Sequence, residues 1–399
     1  MRYPSLLACT ALTLMTATGL AHADDVTAWR LFVADHAEPK VTAIDLGTDA
    51  TLDTFPLQSP GVLYTTPSNQ AVYAVEGAAN RVSAIRTGIE IEDHGDHGDI
   101  HVAAPEPIAA TVPGEKPVHF VEHHGQIALF YDGEGVARLV SEKDWLDGDN
   151  ALAVHDIDTG APHHGVAIPW GDYAIATDFA PNGETTRPQG VFVYDAQNAK
   201  VGDLYECPLL HGEATSGNIT AIACATGLLI ASGSGAPSIT HLPYPSTLPE
   251  GNVSTLLGGV GLQYFLGNYG PDKVVLIDPT EADAFRLVEL PTRRVHFAID
   301  PQQPKFAYIF TEDGKLHQLN VLSGQIVKSI TLTEPYSMDG EWSLPRPRIA
   351  VAGDQIAVTD PLKGLLHIVN AKTFELDRDI PVEGLPYNIV AVGGSGATH

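Results

Sequence analysis

One short unit recurs along the chain and restricts its fold more than any other feature. It starts with an apolar strand, often just after a proline. A second apolar strand ending in Asp or Gly follows, then a third, then a polar return. The openings are PGVLYTT at 60, KPVHFVE at 116, APHHGVAI at 161, PLLHGEAT at 208, LGGVGLQYF at 257, RRVHFAID at 293, RPRIAVAG at 346 and LPYNIVAVGG at 385. QIALFYDG and KFAYIFTEDG are typical second strands, and GVFVYDA and GLLHIVN typical third strands. Long stretches with helical period are absent, and the openings recur every 35 to 55 residues or so, the length of a four-stranded blade. The pattern predicts an all-β protein, a β-propeller with eight blades, seven being the alternative. The last opening has no sequence after it to complete a blade. AWRLFVADH and KVTAIDL near the N-terminus supply the missing strands, which closes the ring and removes open sheet edges. No linker or composition shift marks a second domain, so residues 24–399 read as one propeller.

The N-terminus reads MRYPSLLACTALTLMTATGLAHADD, a basic start, an apolar run and a small-residue A-H-A site. That is a secretory signal peptide, residues 1–23, with cleavage expected after Ala23. No later stretch approaches the roughly 18 apolar residues of a membrane span. The chain is expected in a bacterial periplasm, with secretion further out left open. It carries 22 Lys and Arg against 49 Asp and Glu, a net charge of −27. Such a surface repels nucleic acid and anionic membrane, and tolerates cations and basic partners. Cys9 leaves with the leader. Cys207 and Cys224 remain, and in an oxidising compartment a disulfide is the default, a two-thiolate metal site the alternative.

The chain holds 17 histidines, and the repeat sorts them. His119 in PVHFVE, His164 in PHHGVA and His211 in LLHGEA stand 45 and 47 residues apart, one blade each. Equivalent inner-strand positions ring a propeller's channel, so the three imidazoles are expected to converge near one mouth. Three neutral imidazoles suit Zn²⁺, which completes its tetrahedron with a carboxylate or water. Glu213, two residues after His211, or an Asp from a nearby loop could be that fourth ligand. The doublet leaves the register open, so His163 could stand in for His164. His123 and His124 follow at a turn and are weaker metal candidates. His296 repeats the V-H-F wording and could line the channel opposite. His36, His155, His241, His317 and His367 read as ordinary strand or turn residues.

The densest cluster of ligand types lies elsewhere. EDHGDHGDIH, residues 92–101, holds His94, Asp96, His97, Asp99 and His101 among glycines. It reads as a rim loop at about 91–101, between a third strand, RVSAIR, and an outer strand, IHVAAPEPI. Its spacings resemble metal sites, but ordering it costs conformational entropy, so weak and fast cation capture is expected.

Together, the leader, the acidic propeller-length body, the DHGDHGDIH loop, PVHFVEHHG, PHHGVA and the HGEA string inside the Cys207–Cys224 bracket resemble the AztD-type periplasmic zinc metallochaperones. The resemblance covers essentially the whole mature chain. It implies a β-propeller that binds Zn²⁺ and hands it directly to the solute-binding protein of a zinc ABC importer. It also implies that His119, His164 and His211 carry the tight site, with His94, His97 and His101 on an accessory flexible element.

Two other classes stay in view. A His₃ metal centre with an open position could activate water in a propeller hydrolase, and exported propellers also include oxidoreductases. The sequence shows no nucleophile elbow, no HExxH and no CxxCH, so the chain reads as a non-enzyme. A propeller scaffold with incidental histidines is the third class. The expected partner is a solute-binding protein, with no nucleic acid and no membrane insertion, and the chain is expected to be a monomer. Imidazole ligands alone do not separate Zn²⁺ from Ni²⁺ or Cu²⁺.

Overall fold

Burial along each repeat follows position within the blade. Second and third strands are apolar runs covered on both faces: Ala71–Glu76 and Gln126–Tyr131 are buried almost throughout, as is the middle of Leu365–Asn370. Outer strands such as Thr51–Pro56, Lys200–Glu206 and Gln325–Thr331 are mostly exposed and carry the polar residues. A sheet packed between two others produces this division, as does a blade wedged between neighbours.

The computed structural model describes residues 25–94, 98–148, 152–179 and 188–397. The expected leader, and Asp96 and His97 of the acidic loop, lie outside them. The strands form eight sheets, seven of four strands and one of six. They are the blades of an eight-bladed propeller. Each four-stranded sheet is antiparallel in sequence order, from an inner strand outward. The first blade pairs Val62–Thr65, Ala71–Glu76, Arg81–Arg86 and Glu106–Pro113. The three blades that concern the histidines begin with inner strands Pro117–His123, Ala167–Trp170 and Glu213–Ser216. The eighth blade closes the ring. Its inner strand, Pro386–Ala397, comes from the C-terminus, and Asp25–Asp35, Lys40–Asp45 and Thr51–Pro56 come from the N-terminus. Because each outer strand hands on to the next inner strand, all inner strands point the same way along the channel.

The acidic segment departs from expectation. IHVAAPEPI is not one outer strand. Ile89–Asp93 and Gly98–Val102 pair as a hairpin, and the blade's outer strand starts only at Glu106. The hairpin adds to the sheet of the closing blade, with Asp99 opposite Ala397 at the end of the last inner strand. Ala103 to Pro105 separate the two strands. Their alternation runs on from one strand to the next, which hid the break. The stretch expected to lack a scaffold therefore rises from paired strands. It stands at the face where inner strands end.

Cys207 and Cys224 are joined by a disulfide and are fully buried. It ties the loop entering the fourth inner strand of the ring to that blade's second strand. Among the described residues, no helix is long and apolar enough to cross a membrane.

Candidate metal centre

His119 is the third residue of its inner strand, near the end where inner strands begin. His164 and His211 lie just before the next two inner strands, at the same face. The three rings gather there. Ring centroids are 4.9 Å apart for His119 and His164, 5.2 Å for His164 and His211, and 6.2 Å for His119 and His211. Glycine follows both loop histidines, for a steric reason. A Cβ on Gly212, at φ +90, would lie 2.6 Å from the Ser254 carbonyl oxygen. One on Gly165 would meet the Phe130 ring and the Thr177 hydroxyl. Only glycine lets these loops approach their neighbours so closely.

Each ring has an acceptor beside its Nδ1. His164 Nδ1 donates to Asp132 Oδ2 at 2.8 Å, and His211 Nδ1 to the Ser254 carbonyl at 2.8 Å. Carboxylate and carbonyl oxygens only accept, so both protons sit on Nδ1 and both Nε2 atoms present lone pairs. His119 Nδ1 has Glu213 Oε1 at 3.8 Å, an ion-pair distance longer than a hydrogen bond. Backing of this kind fixes tautomer and ring orientation in metal-binding histidines.

Nε2 of His119 and Nε2 of His164 face each other at 3.3 Å. A tetrahedral ion with Zn–N bonds of about 2.0–2.1 Å sets neighbouring nitrogens about 3.3–3.4 Å apart. Among the described residues, no group of three or more His, Cys, Asp or Glu side chains is arranged to hold a metal ion. The rings are gathered but not drawn in around a centre. Two lone pairs at 3.3 Å would repel, and a proton between them relieves this. His119 is the ring placed to carry it. Burial opposes its charged form, but Glu213 and Asp132 outweigh burial and raise its pKa. His211 goes the other way. Partial burial lowers its pKa and the neighbouring histidines add to this, against the Ser254 carbonyl. A depressed pKa keeps that ring neutral and ready to ligate.

The remaining candidates fall in other places. His163 is buried and turned away from the cluster. Its Nδ1 donates to the Ala161 carbonyl at 2.6 Å and its Nε2 lies 3.0 Å from the Thr177 hydroxyl. It packs on Phe130 and Phe179. Of the doublet, His164 is the ring in the cluster. Glu213 stands beside Nδ1 of His119 rather than beside the paired Nε2 atoms. Its second oxygen is buried without a hydrogen-bond partner among the described residues. His123 and His124 sit at the far end of the same inner strand. His124 and Gly125, at φ +53 and +77, form its tight turn. His123 stacks on Trp170 and lines, with Glu122, Glu142 and Glu213, a channel-mouth cavity of about 620 Å³. His296 accepts from the Ile349 amide at 3.1 Å. Burial drives its pKa well down, and Arg348 and Arg294 push the same way, so that sector repels a cation. On the hairpin, His94 lies 3.2 Å from Asp99 and 3.7 Å from Glu92, and His101 is exposed opposite Glu90.

The residue that sequence reasoning did not single out is Asp132. It follows the second strand Gln126–Tyr131, in the string YDG. Several repeats end that strand with Asp, so nothing in the string distinguishes this one.

No family model matches the chain. A curated relative named zinc chaperone AztD, from Citrobacter koseri, is 52% identical over 377 residues, which is 94% of this chain and 89% of that protein. The chain belongs to the AztD family. The crystal structure of Citrobacter koseri AztD superposes with a TM-score of 0.91 at 51% identity, covering 94% of this chain and all of the other. The structure of apo AztD from the same organism gives 0.88 at 49% identity over the same shares. Outside the family, dihydro-heme d1 dehydrogenase NirN matches with a TM-score of 0.56 at 11% identity, over 91% of this chain and 74% of that one. That likeness shows the fold alone.

Proposed function

We propose that this chain is a periplasmic zinc chaperone. It holds one Zn²⁺ on Nε2 of His119, His164 and His211 and delivers it to the solute-binding protein of a zinc ABC importer. One observation carries the reading. Rings from three consecutive blades meet at one mouth, two of them hydrogen-bonded at Nδ1 and the third with Glu213 3.8 Å from its Nδ1, and the pair of facing Nε2 atoms is spaced as a tetrahedral edge. The relative's name, zinc chaperone, supports the choice of cargo. Three imidazoles leave a fourth position for water, for Glu213 after a side-chain rotation, or for a ligand of the acceptor. His211 is exposed and the side chain of His164 is 37% accessible, so an acceptor's donor atom can reach the ion at this mouth. Ligand exchange then passes the ion on without releasing it.

The hairpin stands at the opposite face. Its His94, Asp99 and His101, with Asp96 and His97 of the same sequence stretch, collect cations or help to dock a partner. The protein acts as a monomeric carrier without turnover. The test loads the chain with zinc and mixes it with the acceptor and a fast chelator in excess. Direct handover fills the acceptor while the chelator stays largely empty. If the chelator takes all the metal, handover is excluded.

A further inference from the structure

Asp132 stands at a corner that recurs around the ring, directly after or at the end of a second strand. The corners of other blades show what an aspartate does there for the fold alone. Asp35, in the closing blade, accepts from the amides of Ala37 and Glu38 on one oxygen, each at 2.8 Å. Its other oxygen accepts from the amide of Leu385 at 2.7 Å. Asp360 accepts from the Tyr336 hydroxyl at 2.5 Å and faces Nε2 of His367 at 3.4 Å. Both carboxylates are occupied on both oxygens.

Asp132 is arranged differently. Its side chain is 5% exposed, yet Oδ1 has no hydrogen-bond partner among the described residues. Oδ2 accepts from His164 Nδ1 at 2.8 Å, with the Lys116 ammonium 3.7 Å away. A buried carboxylate with one idle oxygen is costly to the fold. The corner does not require that cost, since Asp35 meets it with backbone amides. What Asp132 adds is a fixed acceptor for one ring of the cluster.

We infer that Asp132 is a positioning residue for metal binding. It fixes His164 in the Nδ1–H tautomer and aims its Nε2 at the ion without ligating the ion itself. The inference rests on the reading of the His119, His164 and His211 cluster as the metal site. A carboxylate behind an imidazole also raises the ring's basicity, and removing such a partner commonly costs about 10- to 100-fold in metal affinity.

The experiment measures zinc affinity against a chromophoric chelator for wild type, Asp132→Asn, Asp132→Ala and His164→Ala. Asp132→Ala is expected to bind 10- to 100-fold more weakly. Asp132→Asn, whose side-chain oxygen still accepts, should fall between it and wild type. Two readouts separate positioning from a structural role. The visible spectrum of the Co²⁺-loaded Asp132→Asn protein should keep the wild-type ligand field. Nitrogen-15 spectra of metal-free protein should show His164 as the Nδ1–H tautomer in wild type and as a mixture in Asp132→Ala, or in Asp132→Asn if the alanine variant does not fold. The inference is overturned if both Asp132 variants bind zinc like wild type while His164→Ala loses it, or if the Co²⁺ spectrum of Asp132→Asn shows a lost ligand. If His164→Ala itself binds zinc like wild type, the cluster reading fails, and this inference fails with it.

Discussion

At the scale of single residues, the chain separates two adjacent histidines by what their nitrogens already do. His163 spends both on a carbonyl and a hydroxyl, whereas His164 spends one on Asp132 and turns the other toward His119. His163→Ala should therefore lower stability by about 1–3 kcal/mol, through unmade buried hydrogen bonds and lost packing, and leave zinc affinity near wild type. His164→Ala should lose tight zinc binding, and it also costs stability by leaving the buried Asp132 Oδ2 without its hydrogen bond. Calorimetric melting and chelator competition on the same two variants check both halves. Gly212→Ala asks for a side chain at φ +90 and 2.6 Å from a carbonyl oxygen. It should cost about 1–3 kcal/mol and also weaken zinc binding, because His211 is held against that carbonyl. Protons compete for the same site. His119 has a raised pKa, so zinc affinity should fall as pH drops through that raised value, with a proton released on binding. Titration calorimetry in buffers of different ionisation enthalpy reads the release directly.

The repeat made the ring histidines legible, because three of them recur at one blade's interval. The doublet was not legible. A loop before a strand carries no alternation to fix which residue turns inward, and the choice depends on Thr177, a residue from another strand. Asp132 was hidden for a similar reason, since its role depends on a loop from the next blade.

At the scale of elements, the strand–turn–strand units were readable because central strands are apolar throughout and outer strands polar. The hairpin at Ile89–Val102 was missed because its alternation looks like an outer strand. Its position at the opposite face sets this dense cluster of ligand types apart from the three gathered rings. Removing residues 94–99 should leave tight zinc affinity unchanged and reduce the weaker, rapidly exchanging binding, as equilibrium dialysis at rising zinc concentration would show. A different element sets a pH limit on the seventh blade. His367 has Asp379 2.7 Å from Nδ1 and Asp360 3.4 Å from Nε2. Burial opposes its charge, but the two carboxylates prevail and its pKa is raised. A raised histidine pKa stabilises the fold fully below the unfolded value of about 6.5, and that contribution is lost as pH rises through the folded value. Asp360 acts in the opposite direction. Burial pushes its pKa up, yet His367 and Tyr336 bring it below the usual carboxylate value, so its contribution fades as pH falls through that lowered value. The stability advantage of wild type over His367→Asn should therefore be greatest in mildly acidic solution and shrink above neutrality. Urea denaturation across pH measures it.

At the scale of the whole molecule, closure puts the three histidine blades at fixed angles around one channel. The N-terminal strand Asp25–Asp35 pairs with Pro386–Ala397 over most of its length, which joins the two ends of the chain. No local segment could hold three rings from residues 45 and 47 apart. The ring does, and the single buried disulfide braces the loop that carries the third. The bond between Cys207 and Cys224 spans a sequence separation of 17 residues, worth about 3 kcal/mol in the chain-entropy view. The chain carries a net charge of −27, which favours cations in general, so location of the ion, rather than binding as such, decides between sites. The most direct measurement is a crystal of the zinc-loaded chain with diffraction recorded on both sides of the zinc absorption edge. The strongest anomalous peak should lie between Nε2 of His119, His164 and His211, about 2.0–2.1 Å from each. A strongest peak at the hairpin or at His123 and His124, with the three rings left apart, would contradict the proposed centre.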